Sequence, residues 1–152
     1  MNIIKFFKEI RRDGKVIDEK TTVEDMLAKG WGAEKIVAIK WRYGKDIIEI
    51  KNEDGILAKV VEDASAVVGK FYINNAGVLK VINPDGTLRF AISNIQRINE
   101  EYIDGVYEWF EYLDGMPESS FSIVFKDKKN DNLFVLSIDA NTGELLSANR
   151  TM

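Results

Sequence analysis

The spacing of apolar residues changes along the chain. Residues 3, 6, 7 and 10 are Ile, Phe, Phe and Ile. This i, i+3, i+4, i+7 stripe predicts an amphipathic helix, stopped by Gly14. The alternative is a strand that turns at Asp13-Gly14 into residues 15–18. A second helix is predicted after Thr22, an N-cap residue with Asp25 in the capping-box position. Val23, Met26 and Leu27 supply its apolar stripe, and Gly30 ends it after about two turns.

From Glu34 onward the period falls to 2. Strands are predicted at 35–43, 46–51, 56–62, 70–74, 78–83, 87–93, 106–113, 121–126, 133–138 and 144–148. Asp-Gly pairs stand at 13–14, 54–55, 85–86, 104–105 and 114–115. Asp tolerates and Gly prefers the left-handed region, so all five pairs are predicted to close hairpins. The connections Asn75-Ala76-Gly77 and 140–143 have the same character. Segments 63–68 and 94–101 are longer, and either fits a helical turn. Most gaps hold three to five residues, whereas a parallel crossover needs about a dozen or more. The expected fold is therefore α+β and β-rich: one or two short N-terminal helices on a large curved antiparallel meander sheet. Residues 1–152 are expected to form one domain.

Composition removes several chemistries. The chain has no histidine and no cysteine. Disulfides, thiolate catalysis, Ser-His-Asp triads and His- or Cys-ligated metals are excluded on that ground. Near the N-terminus Lys5, Lys8 and Glu9 interrupt the apolar residues, unlike a signal peptide. No run approaches the roughly 20 apolar residues that span a bilayer. A cytoplasmic location, without membrane contact, is expected.

Oxygen-based chemistry is weakly supported as well. The turns NEDG and NPDG and the run 127–132 resemble calcium loops only superficially. Lysines sit inside the run and the required glycine is missing, so no metal site is expected. Glu108 and Glu111 point to opposite faces of a regular strand, and no phosphate-binding glycine loop is present. No catalytic residue and no cofactor are expected. The first third is basic and holds Trp31, Trp41 and Tyr43, yet acids alternate with its cations and the isoelectric point is about 5.0. Nucleic acid is not an expected partner. Trp41 reads as a core residue between solvated Lys40 and Arg42.

Net charge is −4 but uneven. Residues 1–45 hold eleven Lys/Arg against seven Asp/Glu, a net of +4; residues 101–152 hold four against ten, a net of −6. Segment 100–118 carries seven acids, five aromatics and no Lys or Arg. One reading puts its aromatics in the core and its acids in water. The other is an interface for a basic partner, with aromatic anchors and steering charges. The candidate contact residues are Glu100, Glu101, Asp104, Tyr107, Glu108, Trp109, Glu111, Tyr112 and Asp114. Strict alternation would put Tyr107, Trp109 and Glu111 on one face and Glu108, Phe110 and Tyr112 on the other. One face must serve the core, so at most half of the aromatics can be anchors.

The meander VLKVINPDGTLRFAIS at 78–93, the acidic-aromatic EYIDGVYEWFEYLDG at 101–115 and the lack of a catalytic set resemble the cytoplasmic immunity proteins of bacterial polymorphic and contact-dependent-inhibition toxin systems. The resemblance implies a protein partner: a toxin domain, often a nuclease with a basic cleft, held inactive by an acidic surface. FVLSIDANTGELLSANR at 134–150 is also similar to the C-terminal strand pair of PepSY-type domains. The expected function is non-enzymatic binding and neutralisation of a toxin. The alternatives are a small-molecule or carbohydrate-binding β-domain, with Trp31 or Trp41 inside a pocket, and a structural or assembly module.

Overall fold

The computed structural model describes residues 3–74 and 76–151. Asn75, in the connection predicted at 75–77, lies outside the described residues. Thirteen strands, one α-helix and one short 3-10 turn follow in order among the described residues. They are β1 (Lys5–Arg11), β2 (Val16–Ile17), α1 (Val23–Ala28), β3 (Ile36–Tyr43), β4 (Asp46–Lys51), β5 (Ile56–Val61), β6 (Ala66–Ile73) and β7 (Ala76–Ile82). β8 (Leu88–Ile92), β9 (Ile95–Ile98), β10 (Glu101–Glu111), β11 (Ser120–Asp127), β12 (Leu133–Asp139) and β13 (Leu145–Thr151) complete the chain.

The strands form three antiparallel sheets, ordered β2-β1-β3-β4, β5-β6-β7-β8 and β13-β12-β11-β10-β9. Among the described residues only the β1–β3 pairing joins strands that are not consecutive, as expected of a meander with short turns. The middle sheet is buried on both faces. Val67 packs with Ile4, Ile39 and Trp41, while its neighbour Val68 packs with Leu79, Tyr107 and Phe121. Successive residues of a strand face opposite ways, so the two clusters lie on opposite faces. β6 accordingly reads as a continuous buried run from Ala66 to Phe71. Each large apolar side chain buried this way stabilises the fold by about 1.5–3 kcal/mol.

Polar groups tie the layers together. Trp41 is core, as expected, and its Nε1 donates to the Pro84 carbonyl at 2.7 Å. Asn52 Nδ2 donates to the carbonyls of Gly55 and Tyr72 at 2.7 and 2.8 Å, pinning the corner where the chain leaves the first sheet. Arg89 donates to Asn83 Oδ1 at 2.7 Å and to the carbonyls of Ala64 and Ser65, both at 2.9 Å. It also reaches Ala140 O and Asn141 Oδ1 at 3.3 Å, in the β12–β13 turn.

Three expectations are corrected. Residues 3–10 are strand, not helix: β1 turns at Asp13-Gly14 into β2. The helix-like spacing comes from a β-bulge. Register with β3 slips between Lys5 and Lys8, and Phe6 takes φ +57°. The extra residue turns Phe6 outward and Phe7 inward against the core, so Ile, Phe, Phe and Ile fall at 3.6-like intervals. The helix at Val23–Ala28 has its Thr22–Asp25 capping box, but it buries none of its residues in the sheet; Val23 and Leu27 are 66% and 71% exposed. Finally, Asp104-Gly105 closes no hairpin and lies inside β10. The turn before β10 is made by Asn99 and Glu100, at φ +52° and +69°, the left-handed pair that suits a two-residue hairpin.

Candidate partner-binding surface

β10 is the longest strand, with eleven residues. At about 3.3 Å per residue it spans roughly 33 Å. The candidate residues therefore do not form one patch. Glu100 and Glu101 lie exposed at its start, beside Tyr102, whose ring is 5.7 Å from the Arg97 guanidinium. Trp109, Glu111, Tyr112 and Asp114 lie exposed at its far end.

The middle of the strand is neutralised. Asp104 pairs with Lys128 at 3.3 Å and Glu108 with Lys126 at 3.4 Å. Buried Lys70 of β6 reaches in from below, its Nζ 3.5 Å from the Glu108 carbonyl and 4.6 Å from the centre of the Tyr72 ring. The acid run lacks cations in sequence but finds them across the sheet, which relieves the like-charge repulsion.

A second bulge decides which aromatics face solvent. Tyr107 is opposite Phe125, and Phe110 is opposite Ile123. Three residues on β10 thus match two on β11. Tyr107 and Phe110 both turn inward; Tyr107 is fully buried, and Phe110 packs on the same core. Tyr107 is therefore not a contact residue. Its hydroxyl donates to Ser93 O at 2.6 Å and accepts from Gln96 Nε2 at 2.7 Å. Burial pushes its pKa up to about 12, against a smaller lowering by the Gln96 hydrogen bond. Trp109 is 47% exposed and Tyr112 80%. The Trp109 indole donates to Glu111 Oε1 at 2.7 Å, which fixes ring and carboxylate together.

Beyond the bulge a cleft of about 440 Å³ opens between β5 and the β10–β11 loop. Lys59, Glu111, Tyr112, Met116, Glu118 and Phe121 are among its lining residues. A hydrogen bond to Asp63, and then the charge of that carboxylate, push the Glu118 carboxyl above its ordinary range. Sequence reading left Asp63 and Lys59 out of the site, because nothing along the chain signals that β5 borders this loop.

A ligand pocket built on Trp31 or Trp41 finds little support. Trp41 is sealed in the core. Trp31 lies under three cations, Arg11, Lys15 and Lys29, at 5.3–5.5 Å from its ring centre. No group of His, Cys, Asp or Glu that could hold a metal ion occurs among the described residues. No helix is long and apolar enough to cross a membrane.

A chain of the solved structure of Tne2 in complex with Tni2, a toxin–immunity pair, matches this protein at 32% identity and a TM-score of 0.92. The match covers 98% of this chain and 99% of that one, and the matching protein is the immunity protein Tni2. The chain belongs to the Tni2 family of immunity proteins. The likeness extends over nearly the whole chain. No family model and no curated protein matches.

Proposed function

We propose that this Tni2-family protein binds a cognate toxin and neutralises it by occlusion, without catalysis of its own. The observation that carries the reading is the near-complete match to the immunity protein of a toxin–immunity complex. The absence of histidine and cysteine supports it. We further infer that it acts in the bacterial cytoplasm, within a polymorphic or contact-dependent-inhibition system.

The contact surface is the far end of β10 with the adjoining cleft. Trp109 and Tyr112 are its aromatic anchors. Glu111, Asp114 and Glu118 supply steering charge for a basic toxin surface. The crowding of Asp63 and Glu118 supports this choice, since an incoming Lys or Arg relieves it. Glu100, Glu101, Asp104 and Glu108 contribute long-range attraction, and the last two less because Lys126 and Lys128 pair with them.

Binding kinetics against the cognate toxin domain at two salt concentrations test the proposal. Glu111→Lys is expected to slow association, with the effect shrinking as salt rises. Tyr112→Ala is expected to speed dissociation by a factor matching about 2 kcal/mol. Unchanged kinetics in both variants, with native circular dichroism, would move the interface elsewhere. Failure of the wild-type protein to bind or protect against the toxin would reject the function itself.

A further inference from the structure

The outer face of the β2-β1-β3-β4 sheet has features that its own packing does not explain. Register sets Lys8 directly opposite Lys40, and Lys5 opposite Arg42. Like charges directly opposite on one face destabilise a sheet. The same face continues through Glu49 beside Lys40, Ile47 beside Arg42, Lys51 beside Ala38, and Val16 beside Ile10. Five cations thus occupy the strand positions of this face with one carboxylate, Glu49, already paired with Lys40 at 3.6 Å and Lys51 at 3.2 Å. From the segment after β2, Asp18 attracts Lys8 and Glu19 Oε1 accepts from the Phe7 N–H at 3.4 Å, which offsets the surplus at one edge only.

Apolar side chains frame these charges. Phe6 and Ile47 are each 60% exposed, and Val16 is 42% exposed. With Ile10 they line a hollow of about 390 Å³ that also holds Lys8, Lys40 and Arg42. The first bulge turns Phe6 outward at φ +57°, a conformation that costs a bulky residue free energy. Two unfavourable charge pairs and a strained, exposed aromatic coincide on one sheet face.

We propose that this face is a second contact surface for the toxin, receiving an acidic patch with an apolar centre. The inference rests on the toxin-binding reading above. Charge selects the occupant. The first 45 residues carry +4 and the last 52 carry −6, so a partner of matching polarity is steered into one orientation. A second copy joined by a twofold axis would set these cations against their own kind. Single-stranded nucleic acid needs stacking platforms; of the two aromatic side chains lining this hollow, Trp41 is buried and Phe6 alone is exposed.

The test is binding kinetics of the full chain with the purified cognate toxin domain. The variants are Lys8→Glu/Lys40→Glu, Phe6→Ala and, in parallel, Glu111→Lys. The double reversal is expected to slow association at least tenfold at low salt and less at high salt. Phe6→Ala is expected to speed dissociation at least fivefold. Lys8→Gln guards against a folding defect: it should slow association while leaving the thermal midpoint within about 2 °C of wild type, because it relieves the Lys40 repulsion and gives up the Asp18 attraction together. Wild-type kinetics in the Lys8, Lys40 and Phe6 variants overturn the proposal, and a loss confined to Glu111→Lys leaves the acidic surface standing alone. A loss at Lys8 and Lys40 with none at Glu111 keeps this face and removes the acidic one. Self-association in sedimentation that Lys8→Glu/Lys40→Glu abolishes would reassign the face to a second copy. Oligothymidylate binding abolished by the same variant would reassign it to nucleic acid. Either result overturns the proposal.

Discussion

Tyr107 and Phe110 stand three positions apart on β10 yet face the same core, because their partners Phe125 and Ile123 stand two apart on β11. The extra residue holds Trp109 at the surface. This relationship separates neighbouring aromatics into two roles. Phe110→Ala should lower stability by about 2–3 kcal/mol through lost packing. Trp109→Ala should cost about 1 kcal/mol or less and act instead on toxin dissociation. Urea denaturation of the two variants checks the order; equal costs would place the bulge elsewhere.

Tyr107 makes stability depend on alkaline pH. Its folded pKa is raised to about 12 from about 10 in the unfolded chain. The unfolded state therefore loses its proton first. The contribution is complete below about pH 10 and disappears as pH climbs toward 12, with a loss on the order of 2 kcal/mol. Tyr107→Phe should remove that alkaline loss. It should also cost about 1–2 kcal/mol at neutral pH, since Ser93 O loses its closer donor and Gln96 Nε2 its closer acceptor. Denaturant midpoints at neutral and alkaline pH, compared between the two proteins, measure both effects.

Gly105 is required by packing. A Cβ there would lie 2.4 Å from Phe125 Cζ and 2.6 Å from the Lys126 carbonyl oxygen. Gly105→Ala should destabilise by about 1–3 kcal/mol through forced shifts of β11. Gly115→Ala has nothing within 4 Å to meet, so its cost should come from its backbone at φ +82° alone. Thermal melts showing Gly105→Ala as mild as a surface substitution would contradict the close approach of β10 and β11.

Arg89 joins three elements through one guanidinium, reaching Asn83, Ala64, Ser65 and the Ala140-Asn141 turn. Arg89→Ala should cost about 2–3 kcal/mol by leaving those carbonyls without a donor. Arg89→Lys should recover little of it, because an ammonium lacks the planar fork. Hydrogen exchange should show the loss first at residues 62–66 and 139–143.

The β-rich class, the antiparallel meander and most strands from residue 36 onward were legible from period-2 patterning and turn chemistry, both local properties. The β4 boundaries at Asp46 and Lys51 match the expectation, and so does the capping box at Thr22. The lack of histidine and cysteine is equally local, and it excludes whole classes of chemistry. The resemblance to immunity proteins rested on type alone, and the match to Tni2 carries it to a family.

Tertiary structure decided the phase of β1 and β10, and phase decides which face a side chain serves. A bulge is a mismatch between two strands, two residues against one, so it has no signature within either strand alone. That is why Ile3 to Ile10 imitated a helix and why Tyr107 and Trp109 were placed on one face. The charge balance of β10 was hidden for the same reason. Lys126, Lys128 and Lys70 are distant in sequence and arrive only through strand pairing and layer stacking. Composition and patterning determined what kind of fold this chain forms and what chemistry it lacks. Pairing between distant strands determined which of its aromatics and charges face outward.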